Sequence, residues 1–260
     1  MQTAPRFDID MDALWHDPYP QLALLRAEAP VAFVPQLDGI VFTRRDDIDI
    51  WEKRIDIFSS EQPGGLMTRL MGQNMMRHDG DAHQSQRRAM QPAVSPRAVQ
   101  RHWRNAFREA AVRVLDELAP KGRADLCTDY AMTLSGEALR LITGLDNVTA
   151  HEMDAHSQAM IDGISNYAGD ADIEARCLGA VAALDAAIGA RLDDFAASPP
   201  DPDSIDGVSV IAALQRAGAT HDQILANVKL VISAKVATGW KRRAQKKQVW
   251  CGPMMRSPHV

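Results

Sequence analysis

Between Met76 and Met90 the chain reads Met-Arg-His-Asp-Gly-Asp-Ala-His-Gln-Ser-Gln-Arg-Arg-Ala-Met. Asp79 and Gly80 supply a helix N-cap, and the following turns set His83 and Arg87 four residues apart, so that both reach from one helix face. A guanidinium offers a planar fork of donors and an imidazole another, and carboxylates or phosphates accept both as charge-assisted hydrogen bonds. The chemistry open to this pair is to hold an anion. In a chain with 8 His and 29 Lys plus Arg the same spacing also arises by accident, as a solvated helix face, so the surrounding elements decide what it means.

Those elements belong to a chain of 260 residues, long enough for one large domain or two small ones, and its 46% hydrophobic content suffices for a real core. The first residues carry no basic stretch leading into an apolar one, and no run of 18 apolar residues occurs anywhere. A soluble, cytoplasmic protein without a membrane partner is the expectation. Cys127, Cys177 and Cys251 are odd in number and far apart, with no Cys-x-x-Cys, which argues against a disulfide framework or a zinc site; Cys127 and Cys177 fall on apolar helical patterns and read as buried small residues. Charge is uneven. Residues 235–260 hold 7 basic residues and no acid, which leaves 29 less 7, or 22, basic residues against 34 acidic ones in the first 234.

In chain order, Gln21 to Ala27 reads as a short helix, and two β-rich runs, Val31 to Val34 and Ile40 to Thr43, join through the hairpin signal Asp38-Gly39. Asp46 and Asp47 are expected to cap a short helix that gives way to a loop at Phe58-Ser59-Ser60. Gly64 to Asn74 reads as a loop, with Met67, Met71, Met75 and Met76 as adaptable core filler. From Ser95 and Pro96 onward the chain is almost wholly helical. Val99, Trp103, Phe107, Ala110, Val114 and Leu118 recur at three or four residues before Pro120-Lys121-Gly122 ends that helix. Further helices are expected over Leu126 to Ile142, from a capping box at Thr149 and Glu152, over Asp172 to Phe195, around Val208 to Leu214, and after a cap at Thr220 to Gln223. The fold class is therefore mainly α with a small N-terminal β-hairpin.

The string Asp79, His83, Arg87, Arg88, followed by Ser95-Pro96-Arg97-Ala98-Val99, resembles the C-helix region of bacterial cytochromes P450. The upstream order of helix, hairpin, helix and Phe-Ser-Ser is similar to the same family, and Ile224 to Ala234 looks like the first half of its I helix. The resemblance covers roughly residues 8 to 234 and implies a partial P450 fold, helices A to about I, as one domain over 1–234. It implies a haem cofactor, with His83 and Arg87 holding the propionates and Ala234 on the helix that crosses the haem. It further implies a haem-thiolate monooxygenase that uses O2 and electrons from a ferredoxin-type donor to hydroxylate a small apolar substrate. Glu137-Ala138-Leu139-Arg140 spells the family's Glu-x-x-Arg brace but stands too early in the chain, so a solvent-side ion pair is expected there.

Past Ala234 the pattern departs. The family's Gly, acid and Thr correspond to Lys235, Ala237 and Thr238, so that only the relay threonine stands at its spacing. Cys251-Gly252 imitates the end of the thiolate loop, but Val249 and Trp250 precede it, without the loop's Phe and Gly at their spacing. Half of the clamp that holds a P450 haem is thus missing, and no turnover is expected. Residues 235–260 read as a basic, poorly ordered tail outside the family, of frameshift or junction origin. A second reading from another class is a helical binding protein that uses Lys241-Arg242-Arg243, Lys246-Lys247, Trp240 and Trp250 to contact nucleic acid.

Overall fold

A computed structural model of the chain describes residues 4–167 and 169–234. Two compact units emerge, the first ending at Gln62 and the second beginning at Pro63.

In the first unit Asp10 and Asp17 cap α1 (Met11–His16) and α2 (Pro18–Glu28), each side chain accepting from a backbone N–H two or three residues on. The strands β1 (Val31–Val34) and β2 (Gly39–Phe42) pair antiparallel, with Val31 opposite Phe42 and Val34 opposite Gly39. Their connection is longer than a two-residue turn. A 3-10 turn over Pro35–Leu37 leads into Asp38, held left-handed at φ 47°, which an aspartate tolerates. Ile9, Leu14, Leu25, Ala32 and Val34 form the core of this unit. In α3 (Arg45–Trp51) the N-cap position falls on Arg44 and not on the expected aspartates. Asp46 and Asp47 lie in the first turn, where they face the positive end of the helix dipole.

The second unit opens with a correction: the expected loop contains the helix α4 (Leu66–Met71), ended by Gly72 at φ 85°. Burial outweighs the glycines flanking it, because Leu66, Met67, Leu70 and Met71 all meet the main core. Met71 and Met75 fill core space as expected, whereas Met76 is half exposed. Next comes α5 (Gly80–Val94), which tolerates Pro92 in its last turn. Trp103, fully buried, donates from Nε1 to the Ala93 carbonyl at 2.6 Å, so a carbonyl left open at the helix end is satisfied by tertiary structure. Ser95 caps α6 (Pro96–Ala98), which passes through a π turn at Val99–Trp103 into α7 (Arg104–Leu118). The helix expected from Leu126 opens as a π turn, Leu126–Met132, and becomes regular only in α8 (Thr133–Thr143).

The remaining helices follow their end signals. A capping box formed by Thr149 and Glu152 opens α9 (Ala150–Ile164), and Asp170 caps the 27-residue α10 (Ala171–Ala197), which stops before Pro199-Pro200. Side by side, α9 and α10 come so close that a Cβ on Gly163 would collide with Cys177 Sγ. Cys177 is buried as expected, while Cys127 is only half-buried. Last come α11 (Val210–Arg216) and α12 (His221–Ser233), the latter with a second capping box from Thr220 and Gln223. Met90, Met153, Met160, Leu184, Ile188, Ile211, Leu214 and Ile232 from five of these helices build one core.

Candidate functional site

Successive residues of α5 turn by about 100°, so Gln86, Met90 and Ala93 form its buried stripe, with His83 and Arg87 along one margin of it. His83 is half-buried and Arg87 exposed, and neither side chain has a hydrogen-bond or ion-pair partner among the described residues. Asp79 occupies the N-cap position as expected, although its side chain makes no capping hydrogen bond. The two donors thus stand together at the edge of the core, with no side-chain partner among the described residues.

What positions that margin is α12, which runs through the interior with Ile224, Ala226, Val228, Leu230 and Ile232 all buried. A helix apolar on nearly every side can hold polar groups only if each finds a partner. Asn227, fully buried, accepts from the Met75 backbone N–H at 3.0 Å and donates to Gln86 Oε1 and the Gln223 carbonyl, both at 2.8 Å. Lys229 pairs with Asp185 of α10 at 2.6 Å, and the Ile232 carbonyl accepts from Ser157 of α9 at 2.8 Å. Through Asn227 and Gln86, α12 is therefore tied to α5 one turn beyond His83. Ala234, the exposed C-cap residue of α12, lies seven residues past Asn227, which is 20° short of two full turns. It stands on the same stripe as the residue that grips α5.

Arg77, one residue before the expected motif's histidine-aspartate pair, carries a buried Nε with no partner. Burial pushes its guanidinium below the ordinary arginine value, opposed in smaller part by nearby Tyr167. By contrast Arg140 donates to both Glu137 oxygens at 3.0 Å, with Arg113 3.7 Å from the same carboxylate. The Glu137–Arg140 pair is the local i,i+3 contact expected, but it is four-fifths buried and so not on a solvent face. The framework that fixes the site, Gln86, Asn227 and Lys229, was not among the residues the sequence singled out, nor were Asn74 and Arg77. A signal existed for Asn227 and Lys229: two polar residues adjacent to Val228 inside an otherwise apolar helical run.

Thr238, Cys251 and the basic clusters of residues 235–260 lie outside the described residues. Among the described residues no group of three or more His, Cys, Asp or Glu is placed to hold a metal ion, and no helix is long and apolar enough to cross a membrane.

No protein-family model matches the chain. It is 26% identical over 137 residues to a C-19 steroid 1alpha-hydroxylase of Sorangium cellulosum (strain So ce56), an alignment spanning 53% of this chain and 34% of that protein. Its fold matches cytochrome P450 260B1 of Sorangium cellulosum So Ce56 with a TM-score of 0.63 and 22% identity, covering 94% of this chain and 66% of the other. P450BioI in complex with hexadec-9Z-enoic acid ligated acyl carrier protein matches with a TM-score of 0.67, 15% identity and coverages of 85% and 58%. CYP109E1 from Bacillus megaterium in complex with testosterone gives 0.66, 16%, 89% and 64%. The chain spans about a third of the curated relative it matches and less than two thirds of each of these structures. Most of its length is accounted for by these matches, and its fold is part of the fold seen in bacterial cytochromes P450.

Proposed function

We propose that the chain is the propionate-binding and ligand-covering portion of a haem-thiolate monooxygenase that hydroxylates an apolar, steroid-sized substrate with electrons from a ferredoxin-type donor. The observation that carries this reading is the tie from Asn227 to Gln86, one turn from the unpaired side-chain donors His83 and Arg87 and on the stripe of α12 that ends at Ala234. Two unpaired donors on one helix margin suit the acid edge of a haem, and an alanine permits close approach of a flat macrocycle. When bound, the haem supplies the activation of O2. In this reading His83 and Arg87 orient the macrocycle, Ala234 lies against its face, and α12 and α4 exclude water with their apolar side chains. The substrate class is taken from the relatives, one of which is a C-19 steroid hydroxylase and another of which holds testosterone. The nucleic-acid reading has no observation in its favour, since the basic clusters it needs fall outside the described residues.

A haemin titration of the whole 260-residue chain, followed by reduction under carbon monoxide, tests the proposal. The chain is expected to bind haemin, and the double substitution of His83→Ala with Arg87→Ala to weaken binding about tenfold or more, as loss of charge-assisted hydrogen bonds requires. Cys177 is packed in the core and burial pushes its thiol up, away from the thiolate an iron ligand needs, so no thiolate-type carbon monoxide band is expected from it. Equal haemin affinity in the double variant would remove the assignment of these two residues.

A further inference from the structure

The side chain of Asn227 accepts one hydrogen bond and donates two, all inside the core, where the residue has no exposed surface. Its Oδ1 takes the Met75 backbone N–H at 3.0 Å, and its Nδ2 gives to Gln86 Oε1 and to the Gln223 carbonyl, both at 2.8 Å. Turning the amide over would set N–H2 against N–H and oxygen against oxygen, so its orientation is fixed. Among the described residues, the Met75 bond is the only hydrogen bond that joins residues 72–77 to an element beyond their neighbours in sequence. Over residues 80–87 of α5 the Gln86 bond is likewise the only one to another helix, and Trp103 holds the far end of α5 at Ala93. Gly72 also passes close to α12: a Cβ added there would stand 3.4 Å from Ala226 Cβ.

We propose that Asn227 is a positioning residue that couples the 3-10 turn Met75–Arg77 to α5, so that the edge carrying His83 and Arg87 is in place only while the turn is seated on α12. The turn and α5 meet α12 through this one amide and through no other hydrogen bond among the described residues. If the Gln86 acceptor is lost, a buried N–H is left unpaired, and the amide moves to relieve it. That movement withdraws Oδ1 from Met75. Loss of the Met75 N–H acts in the reverse direction, as linked equilibria require. The Gln223 contact lies within α12 and ties neither segment. The coupling rests on the reading of His83 and Arg87 as the anion pair and adds that their grip depends on the state of the turn. An anion held there steadies α5 and, through Asn227, the turn.

Amide hydrogen exchange on the full chain, read residue by residue by NMR, tests the coupling. Gln86 makes no hydrogen bond to Met75, yet Gln86→Leu should speed exchange of the Met75 amide about tenfold or more. Gln86→Glu keeps an acceptor for Asn227 and should leave that amide slow. The Met153 amide of α9, bonded to the Thr149 carbonyl, is the folding control and should not change. Met75→Pro is a second variant for the case in which Gln86→Leu does not fold. Proline suits the first position of the turn after the extended Asn74, and it removes the N–H that Asn227 accepts. The Arg87 amide in α5 should then exchange about tenfold or more faster. Unchanged exchange at Met75 in Gln86→Leu, or at Arg87 in Met75→Pro, would show two independent bonds and overturn the proposal. Saturating haemin should slow Met75 exchange in the original chain and not in Gln86→Leu. Haemin that binds without slowing it also overturns the coupling. Failure of haemin to bind at all counts against the proposed function and leaves the two variants to judge this proposal.

Discussion

Arg191 is sunk into the second unit and Arg77 half-buried in it, and they are treated in opposite ways. Arg191, on α10 with 8% of its side chain exposed, donates from Nε to the Gly144 carbonyl at 2.9 Å. It lies 3.0 Å from Asp146, 3.3 Å from Asp194 and 3.0 Å from Asp206, and its guanidinium stacks over the Phe195 ring at 4.6 Å. Each direction of the planar fork is used, so one side chain binds the end of α8, its own helix and the loop before α11. Arg77 has the same fork and no carboxylate among the described residues. A cation with three counter-charges is a structural rivet; one with none, half-buried, leaves its charge to solvent.

The largest test of that contrast is Arg191→Met. It leaves three carboxylates facing one another and a carbonyl unpaired, and it should lower stability by about 3 kcal/mol, discounted for the exposure of the carboxylates. Urea denaturation measures this, and a loss under about 1 kcal/mol would show that the aspartates are held by water alone. Arg77→Met should act the other way, leaving stability unchanged or raising it by up to about 1 kcal/mol, because a half-buried guanidinium with an open Nε and no carboxylate partner is removed. A loss larger than that would make Arg77 structural and dissolve the comparison.

The smallest effect belongs to a group that is satisfied but exposed. Glu152 accepts from the Thr149 hydroxyl and backbone N–H, and these hydrogen bonds hold its carboxyl below its ordinary value of 4.5. A depressed carboxylate stabilises the fold above its unfolded value and loses that contribution as pH falls through the folded one. The stability difference between the original chain and Glu152→Ala should therefore be flat above about pH 5 and shrink below about pH 4. A difference that stays constant across that range would show that the capping box works through packing and not through the charge.

Much of the helical order was legible because it depends on neighbours in sequence. Thr149 with Glu152, Thr220 with Gln223, and Ser95 with Pro96 all act where expected, since a cap needs only the residues within one turn of it. The α4 helix was hidden for the opposite reason: glycines and methionines at 64–74 carry no strong local preference, and burial of Leu70 and Met71 against distant helices decides the matter. The π turns at Val99–Trp103 and Leu126–Met132 were likewise illegible, as no residue type marks them.

For the site, the His83 and Arg87 pair and its helical spacing were determined by the sequence alone, because residues four apart share a face in any α-helix. Which side chains stay without a partner was not. That Arg191 meets Asp206 and Asp146 while Arg77 meets no carboxylate, and that Asn227 reaches 141 residues back to Gln86, are facts of tertiary contact between segments far apart in the chain. Local pattern sets where a donor points along its own helix. Only the packed structure decides what stands opposite, since burial strips the water that would otherwise satisfy every such group alike.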